Sequence, residues 1–369
     1  MVHFWWEIRF EMSLIACLTP DRHPVLLADT LLSSPDMKAG LVLPSVGLEH
    51  EKIVTNSGLH AVGMEEKIVV LSDHLMLAWA GDYVPAQRLI RGLARYFGIT
   101  PTTRWYVEAF LRAEHAADLE RVALIVCVRE GKRILTWTHR CLEVNSPTVG
   151  KVYYAGTGGD RLVQHLCQVK EPLVAVTNPL MAGVATALFL GGFLLADELY
   201  TMAPLAANFG GAYEVGTFVL GKATRLNDFA FVLWFGDKDG EGLKFNLPAK
   251  VMRRYERDGQ ACYHCIEFES REVELAITKE EVFIWRPFLA DQTVPHGSAE
   301  IPSLNTRWQV NVFCFKVALS GCDLFVGVRH REEPERHIVQ FKRESASAMA
   351  IGLDLAAMQH LLAGRDGGA

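Results

Sequence analysis

Strand-like and helix-like segments in this chain come in groups, and that grouping restricts its fold more than any other feature of the sequence. Apolar runs at 14–18 and 25–28 flank TPDRHP, whose Pro20, Asp21 and Pro24 predict a hairpin-like connection. The stretch KIVVLSDHLMLAWAG, opening at Lys67, predicts two more strands with a turn at Ser72-Asp73. Residues 35–66 are less regular, broken by Gly40, Pro44, Gly47 and Gly58. Ala86, Leu89, Leu93 and Tyr96 recur near the helical period and predict a helix over about 84–96, with a second over about 103–117. Strands are expected at 122–128, 134–139 and 152–155. A helix follows from Gly158, with Leu162, Leu166 and Val169 on one face. Another helix over 180–200 and strands at 215–220 and 229–235 close the series. The resulting order, ββ, ββ, αα, βββ, αα, ββ, disfavours the single alternation of a Rossmann or TIM-barrel chain. It fits an α+β protein of two facing antiparallel sheets with helices outside.

The run LMAGVATALFLGGFLLA at 180–196 is apolar nearly all round and belongs between other layers. It is shorter than the roughly 20 residues a bilayer requires, so a buried helix is expected instead of a membrane span. The opening residues, with Phe4, Trp5 and Trp6 followed by Glu7, Arg9 and Glu11, do not read as an export signal. A soluble, cytoplasmic protein is the expectation. Charge points the same way: 37 − 43 = −6, which offers no basic surface for nucleic acid. The 8 cysteines read as small hydrophobes, not a disulfide framework. Cys262-Tyr-His264-Cys265 is the one tight metal-capable cluster. A structural zinc site requires about four ligands, and no second pair is evident, so these read as strand residues and no metal or cofactor is expected.

Beyond 240 the chain is strand-rich: VELAI, EVFIW, QVNVFCFKVAL, LFVGV and HIVQF precede an expected helix over 346–362. The boundary of this addition falls in 236–272, where KDGEGLKFNLPAK carries turn residues, and 241–369 is read as a C-terminal extension.

Two stretches, SLIACLTPDRHPVLLADT and EEKIVVLSDHLMLAWAGD, resemble the opening of proteasome β-type subunits and their bacterial relatives. These are N-terminal-nucleophile hydrolases with a four-layer αββα fold. The resemblance covers about 13–235, giving a domain over 13–240 with an enlarged 35–66 segment. It implies that Ser13 is the nucleophile, Asp29 and Lys67 its supporting pair, and Gly81 the oxyanion-hole amide. The later YYAGTGGDRL resembles the family's strand-to-helix turn and puts Thr157 where a serine supports the nucleophile's amino group.

The chemistry is coherent on its own terms. A hydroxyl is a poor nucleophile until a base takes its proton, and a free α-amine with pKa near 8 can serve. Such an amine exists only if Ser13 is first. The resembling family places Gly before its nucleophile, whereas Met12 stands here. Two readings follow: translation starts at Met12 and methionine removal exposes Ser13, or residues 1–12 remain as an extension and block the site. The family also carries an Asp and a Ser before a late Gly-Gly pair. The matching 205–211 stretch lacks the Asp, has Phe209 in the serine place, and offers Asn208 as a partial substitute.

The leading expectation is therefore an amide-bond hydrolase, a peptidase by first reading, acting on peptide or small amide substrates. The alternatives are a catalytically inactive assembly or binding subunit and a small-molecule amidohydrolase. A homo-oligomer is expected. A separate ATPase partner is left open, since the chain has no phosphate-binding loop of its own. Each landmark also has a plainer reading: Asp29 as a turn cap, Lys67 as a solvated strand-edge charge, Gly81 as a strand end, Thr157 as a turn residue. His23, His74 and His165 show no spacing that assembles a triad.

Overall fold

A computed structural model describes residues 12–19, 22–36, 42–45, 56–99, 101–167, 169, 178–239, 242–245, 249–257, 259–271, 274–285, 288–289, 304–317, 321–330, 339–343, 345 and 348–354. The protein is a mixed α+β fold. Its first half runs through β1 (Ile15–Leu18), β2 (Val25–Asp29), β3 (Leu31–Ser34), β4 (His60–Met64), β5 (Ile68–Ser72) and β6 (Leu75–Gly81). Helices α1 (Tyr83–Phe97), α2 (Arg104–Glu114) and α3 (Ala116–Leu119) follow, then β7 (Val122–Glu130), β8 (Arg133–His139), β9 (Leu142–Ser146) and β10 (Gly150–Ala155). Next come α4 (Gly159–Leu166), α5 (Pro179–Thr201), α6 (Ala203–Ala206), β11 (Tyr213–Val219) and β12 (Lys222–Arg225).

Contacts divide the chain into two units. The first holds the described elements through β12 except the middle of α5; the second takes that middle, Leu188–Ala196, and the chain from Leu226 onward. In the first unit a 6-stranded sheet has the order β12-β11-β2-β1-β10-β9, and a 4-stranded sheet has the order β5-β6-β7-β8. One apolar cluster draws on both: Ile15, Cys17, Leu26 and Ala28 from the first sheet meet Ile68, Met76, Ala78 and Ile125 from the second. Strands β1 and β2 are buried at every position, so their other face is covered too. That is why they read as continuous apolar runs without alternation.

Helix α1 buries Ala86, Leu89 and Leu93 of the expected periodic set, while Tyr96, the fourth, is exposed. The expected helix over 103–117 is interrupted: α2 starts on the Thr103 cap, whose hydroxyl accepts the Tyr106 N–H at 3.3 Å, and breaks at His115, φ −130°. The His115 ring contacts the Asp118 carboxylate at 3.1 Å, tying the break to α3. Strands β3, β4, β9 and β12 have no counterpart in the sequence reading. They are short pieces (LLSS, HAVGM, LEVNS and KATR) with few fully buried positions, which leaves the apolar alternation almost nothing to display.

Helix α5 starts with Pro179 after Asn178, whose side chain accepts the Leu180 N–H, and ends at left-handed Met202. At 23 residues it is longer than the apolar run suggested and meets the length and composition of a membrane span, while 78% of its most apolar window is buried within the protein. Gly192 lies against Val310, Val312 and Val326 within the second unit, where a Cβ would crowd Val326 at 2.8 Å.

The second unit is built on β13 (Phe229–Asp239), β14 (Gly242–Phe245), β15 (Lys250–Arg257), β16 (Gln260–Arg271), β17 (Glu274–Trp285), β18 (Trp308–Val317), β19 (Gly321–His330), β20 (Val339–Arg343) and β21 (Ala348–Leu353). They form a 9-stranded sheet, order β19-β18-β13-β15-β16-β17-β21-β20, with β14 on β13. Among the described residues of this sheet, β13–β18 is the one parallel pair and the others are antiparallel. Ala230, Val232, Trp234, Ile266, Phe313 and Phe315 form its main core. The division at 225/226 gives β13 to this unit, ahead of the 240/241 boundary read from turn residues.

The expected C-terminal helix over 346–362 is corrected by β21. Residues 348–353 pair antiparallel with β20, and Met349 and Leu353 join the sheet core. An alanine-rich run has helical propensity, but a vacant sheet edge with an apolar face outweighs it. Residues 355–362 lie outside the described set, as do 1–11.

Candidate active site

The site lies in the first unit, where β1 begins and β2 ends. Antiparallel pairing sets Leu14 opposite Asp29, and the two residues exchange bonds: the Asp29 N–H donates to the Leu14 carbonyl at 3.1 Å, and the Leu14 N–H donates to Asp29 Oδ1 at 2.9 Å. The amide immediately after Ser13 is thus held by the Asp29 carboxylate. Lys67, just ahead of β5, reaches the same oxygen with Nζ at 2.6 Å and the Leu31 carbonyl at 2.6 Å. On its other oxygen Asp29 accepts the N–H groups of Gly210 at 2.8 Å and Leu31 at 3.3 Å.

Lys67 and Asp29 are both 0% exposed. The solvated strand-edge reading of Lys67 is therefore overturned, and Asp29 does more than cap a turn. Burial pushes the Asp29 carboxyl above its ordinary value and pulls the Lys67 ammonium below its own; their mutual attraction opposes both shifts. Glu214 holds the Lys67 backbone, its Oε2 accepting the Lys67 and Ile68 N–H groups at 3.0 and 3.2 Å.

Ser13 is 3% exposed and takes φ 118°, a region that L side chains rarely adopt. Its carbonyl accepts the Gly158 N–H at 3.1 Å, which draws the 156–159 turn onto it. Gly156, at φ 91°, presses so closely on that carbonyl that a Cβ there has no room. Thr157 stands between these glycines. Its hydroxyl oxygen is buried with no hydrogen-bond partner among the described residues.

Gly81 makes no hydrogen bond to Ser13, Asp29 or Lys67 among the described residues. It ends β6 at φ 107°, and a Cβ there would lie 2.5 Å from the Arg121 carbonyl oxygen. The backbone at Arg121 and Val122 alone is enough to require glycine at this position.

The late turn differs from what the sequence suggested. Asn208 donates its side-chain amide to Ser57 at 2.6 Å and does not join Asp29. Phe209 is fully buried, against the Cα of Gly158. The Gly210–Gly211 pair instead offers its two N–H groups to two carboxylates: Gly210 to Asp29, and Gly211 to Glu198 Oε1 at 2.9 Å. Glu198 is a group the sequence reading missed. Its signal was an acid near the end of an otherwise apolar helix. Burial raises its carboxyl to about 7. Glu65, two residues before Lys67 and beside Tyr83, is likewise pushed up to about 7 by burial.

Among the described residues no group of three or more His, Cys, Asp or Glu side chains is placed to hold a metal. Strand alternation separates the sequence cluster: Cys262 and His264 share one face of β16 and Cys265 takes the other, with neither thiol in a disulfide. His264 Nε2 meets Glu280 at 2.7 Å. His165 pairs with Asp197 at 2.9 Å.

No protein-family profile and no curated protein sequence matches this chain.

Proposed function

We propose that this protein is a proteasome-like N-terminal nucleophile hydrolase that cleaves amide bonds, with Ser13 as its nucleophile and peptides as its first substrate class. One observation carries the reading: the Lys67–Asp29 pair, fully buried, is hydrogen-bonded to the amide that follows Ser13. Taking two charges out of water costs several kcal/mol per ion, and an apolar pair of the same volume is often at least as stable. A pair kept at the root of a candidate nucleophile has a chemical reason to be there.

Three further observations support the same reading. The φ of Ser13 costs a non-glycine residue about 1–3 kcal/mol, and that torsion exists only while Met12 is attached. A chain beginning at Ser13 does not carry the cost. The buried Thr157 hydroxyl has no partner among the described residues, and an α-amine on Ser13 would supply one. The layer order required is αββα, and the packing is compatible with it. The two sheets share a core, α1 contacts β5 and β6, and Gly183 of α5 lies against Val25, whose neighbours Leu26 and Ala28 face that core.

In the reaction, the Ser13 α-amine takes the hydroxyl proton while Oγ attacks the substrate carbonyl carbon. The resemblance gives the developing oxyanion to the Gly81 N–H, which makes no hydrogen bond of its own to Asp29 or Lys67 among the described residues. The amine half of the substrate leaves with the proton, and water then hydrolyses the ester on Ser13. Lys67 keeps a positive charge near the amine and so favours its unprotonated form.

Phe209 favours a second reading, a non-catalytic assembly or binding subunit on the same scaffold, because it fills the place where the resemblance puts a serine. Intact-mass analysis with a peptide-amide assay separates the two. The hydrolase reading expects an N-terminus at Ser13 and turnover that disappears in a folded Ser13→Ala protein. Any other N-terminus, or turnover undiminished in that variant, removes it.

A further inference from the structure

The hydrolase reading leaves one deeply engaged carboxylate without a task. Glu198 is 0% exposed near the end of α5. Its Oε1 accepts the Gly211 N–H at 2.9 Å and the Ser45 hydroxyl, and its Oε2 lies 3.4 Å from the Tyr213 hydroxyl. Glu198 also occupies the space beside Gly210, where a Cβ would lie 2.5 Å from Oε2. Gly210 and Gly211 sit at φ 123° and 83°, so this turn has a conformation that few other residues could adopt. Its other side is joined to the site. The Gly210 N–H donates to Asp29 Oδ2 at 2.8 Å, and the Gly210 carbonyl accepts the Thr30 and Leu31 N–H groups at 3.3 and 3.1 Å.

A carboxylate held in this way is costly in an apolar helix unless its bonds do something that packing cannot. Resting on the reading of Ser13 as nucleophile, we propose that Glu198 is a positioning residue for that reaction. It fixes the Gly210–Gly211 turn so that Gly210 delivers its N–H to Asp29, doing from α5 the work for which residues 205–211 supply no acid. Asp29 in turn orients Lys67 and the Leu14 amide, so the chain of contacts from Glu198 reaches the residue after Ser13.

The charged surroundings of Glu198 make the inference testable by pH. Tyr213 faces it from β11 and Asp29 from the end of β2, the latter answered by Lys67; its helix neighbour Asp197 is engaged with His165 and Arg161. Among the described residues no cation contacts Glu198. Burial, with a smaller push from Asp29, raises its carboxyl to about 7. Its proton is therefore exchanged within an accessible assay range.

The experiment measures kcat and KM from pH 5.5 to 9 for the purified mature protein and for its Glu198→Ala and Glu198→Gln variants, each with a melting curve. Glu198→Ala should lower kcat by about 10- to 100-fold, the loss known for residues that orient metal ligands from behind, with KM little changed. Glu198→Gln keeps an acceptor for Gly211 and Ser45 and should recover kcat to within about tenfold of the parent. It should also lose the step in kcat near pH 7 while keeping any limb near 8 that belongs to the Ser13 amine. If Glu198→Ala does not fold, Glu198→Gln decides alone: an unaltered step near 7 overturns the inference. Parental kcat and pH profile in a folded Glu198→Ala protein overturn it as well. If turnover survives Ser13→Ala, the nucleophile reading has failed and takes this inference with it. Ser13-dependent turnover with unaltered Glu198 profiles defeats the Glu198 role alone.

Discussion

Each unit of this protein buries a polar network, and the two are made of different chemistry. In the second unit the network around Gln309 and Asn311 is neutral, although Arg254 and His264 are buried elsewhere in that unit. Gln309 donates to the Val339 carbonyl at 2.8 Å and accepts the Val339 N–H at 3.2 Å, while Asn311 Oδ1 accepts the Trp234 indole N–H at 3.2 Å. An amide side chain here does what a neighbouring strand would do, closing the backbone bonds of β20. In the first unit the network is charged: Asp29, Lys67, Glu198 and Glu214 are all buried, and three of the four are acids. A neutral hydrogen bond contributes about 0.5–1.5 kcal/mol net, whereas each buried ion costs several kcal/mol before its partners offset it. Neutral networks of this kind fix register, and the charged one sits beside Ser13, where the proposed chemistry requires it.

The largest expected effect is at Lys67. Lys67→Ala strands Asp29 as an unpaired buried charge and should destabilise the protein by about 3–5 kcal/mol, measured by denaturant unfolding. Loss of activity in that variant is therefore not sufficient to place Lys67 in the mechanism. The double variant Lys67→Met/Asp29→Asn removes both charges and should regain much of the stability while turnover stays absent. Stability within about 0.5 kcal/mol of the parent in Lys67→Ala, the range of an ordinary surface change, would contradict the buried pair.

The neutral network should respond more weakly and without chemistry. Asn311→Ala leaves the Trp234 indole N–H without its acceptor and should cost about 1–3 kcal/mol, with kcat per folded molecule unchanged. A change in kcat comparable to that of the charged network would erase the distinction between the two networks.

A smaller effect follows from the raised carboxyls. Glu198 titrates near 7 in the folded protein against an ordinary 4.5, so between those values the native state holds more protons than the unfolded state. Its contribution is complete below about 4.5 and declines as pH rises through 7. Glu65, raised to about 7, acts in the same direction. Melting curves at pH 5 and 8 should show the parent losing more stability over that interval than Glu198→Gln does. Equal losses would indicate that Glu198 does not titrate there.

Thr157→Val should have the smallest effect on stability, within about 0.5 kcal/mol, because its hydroxyl oxygen has no partner among the described residues to lose. If that hydroxyl meets the Ser13 amine in the mature protein, kcat falls and its limb near pH 8 moves. An unchanged profile would make Thr157 an ordinary turn residue.

What the sequence displayed and what it hid follow from the range of each signal. The core strands β1, β2, β6 and β7 were legible because burial makes their runs apolar, and α1 because its stripe repeats at the helical period. Ser13, Asp29 and Lys67 were legible as an ordered set, and the structure joins Asp29 to Lys67 and to the Leu14 amide. Glu198 and Glu214 were not, since their roles depend on contacts with residues 45, 67 and 211 that no local pattern encodes. β21 was hidden for a related reason: an alanine-rich segment takes its conformation from the strand edge it meets.

The central claim, that Ser13 is an activated nucleophile, is tested most directly by covalent capture. A β-lactone probe opens on an attacking hydroxyl oxygen and adds its full mass as an ester. Incubated with the mature protein and followed by peptide mapping, it should place one adduct on Ser13, absent from a folded Ser13→Ala protein. No adduct on folded protein whose N-terminus is Ser13, or labelling that persists undiminished in Ser13→Ala, would contradict the account.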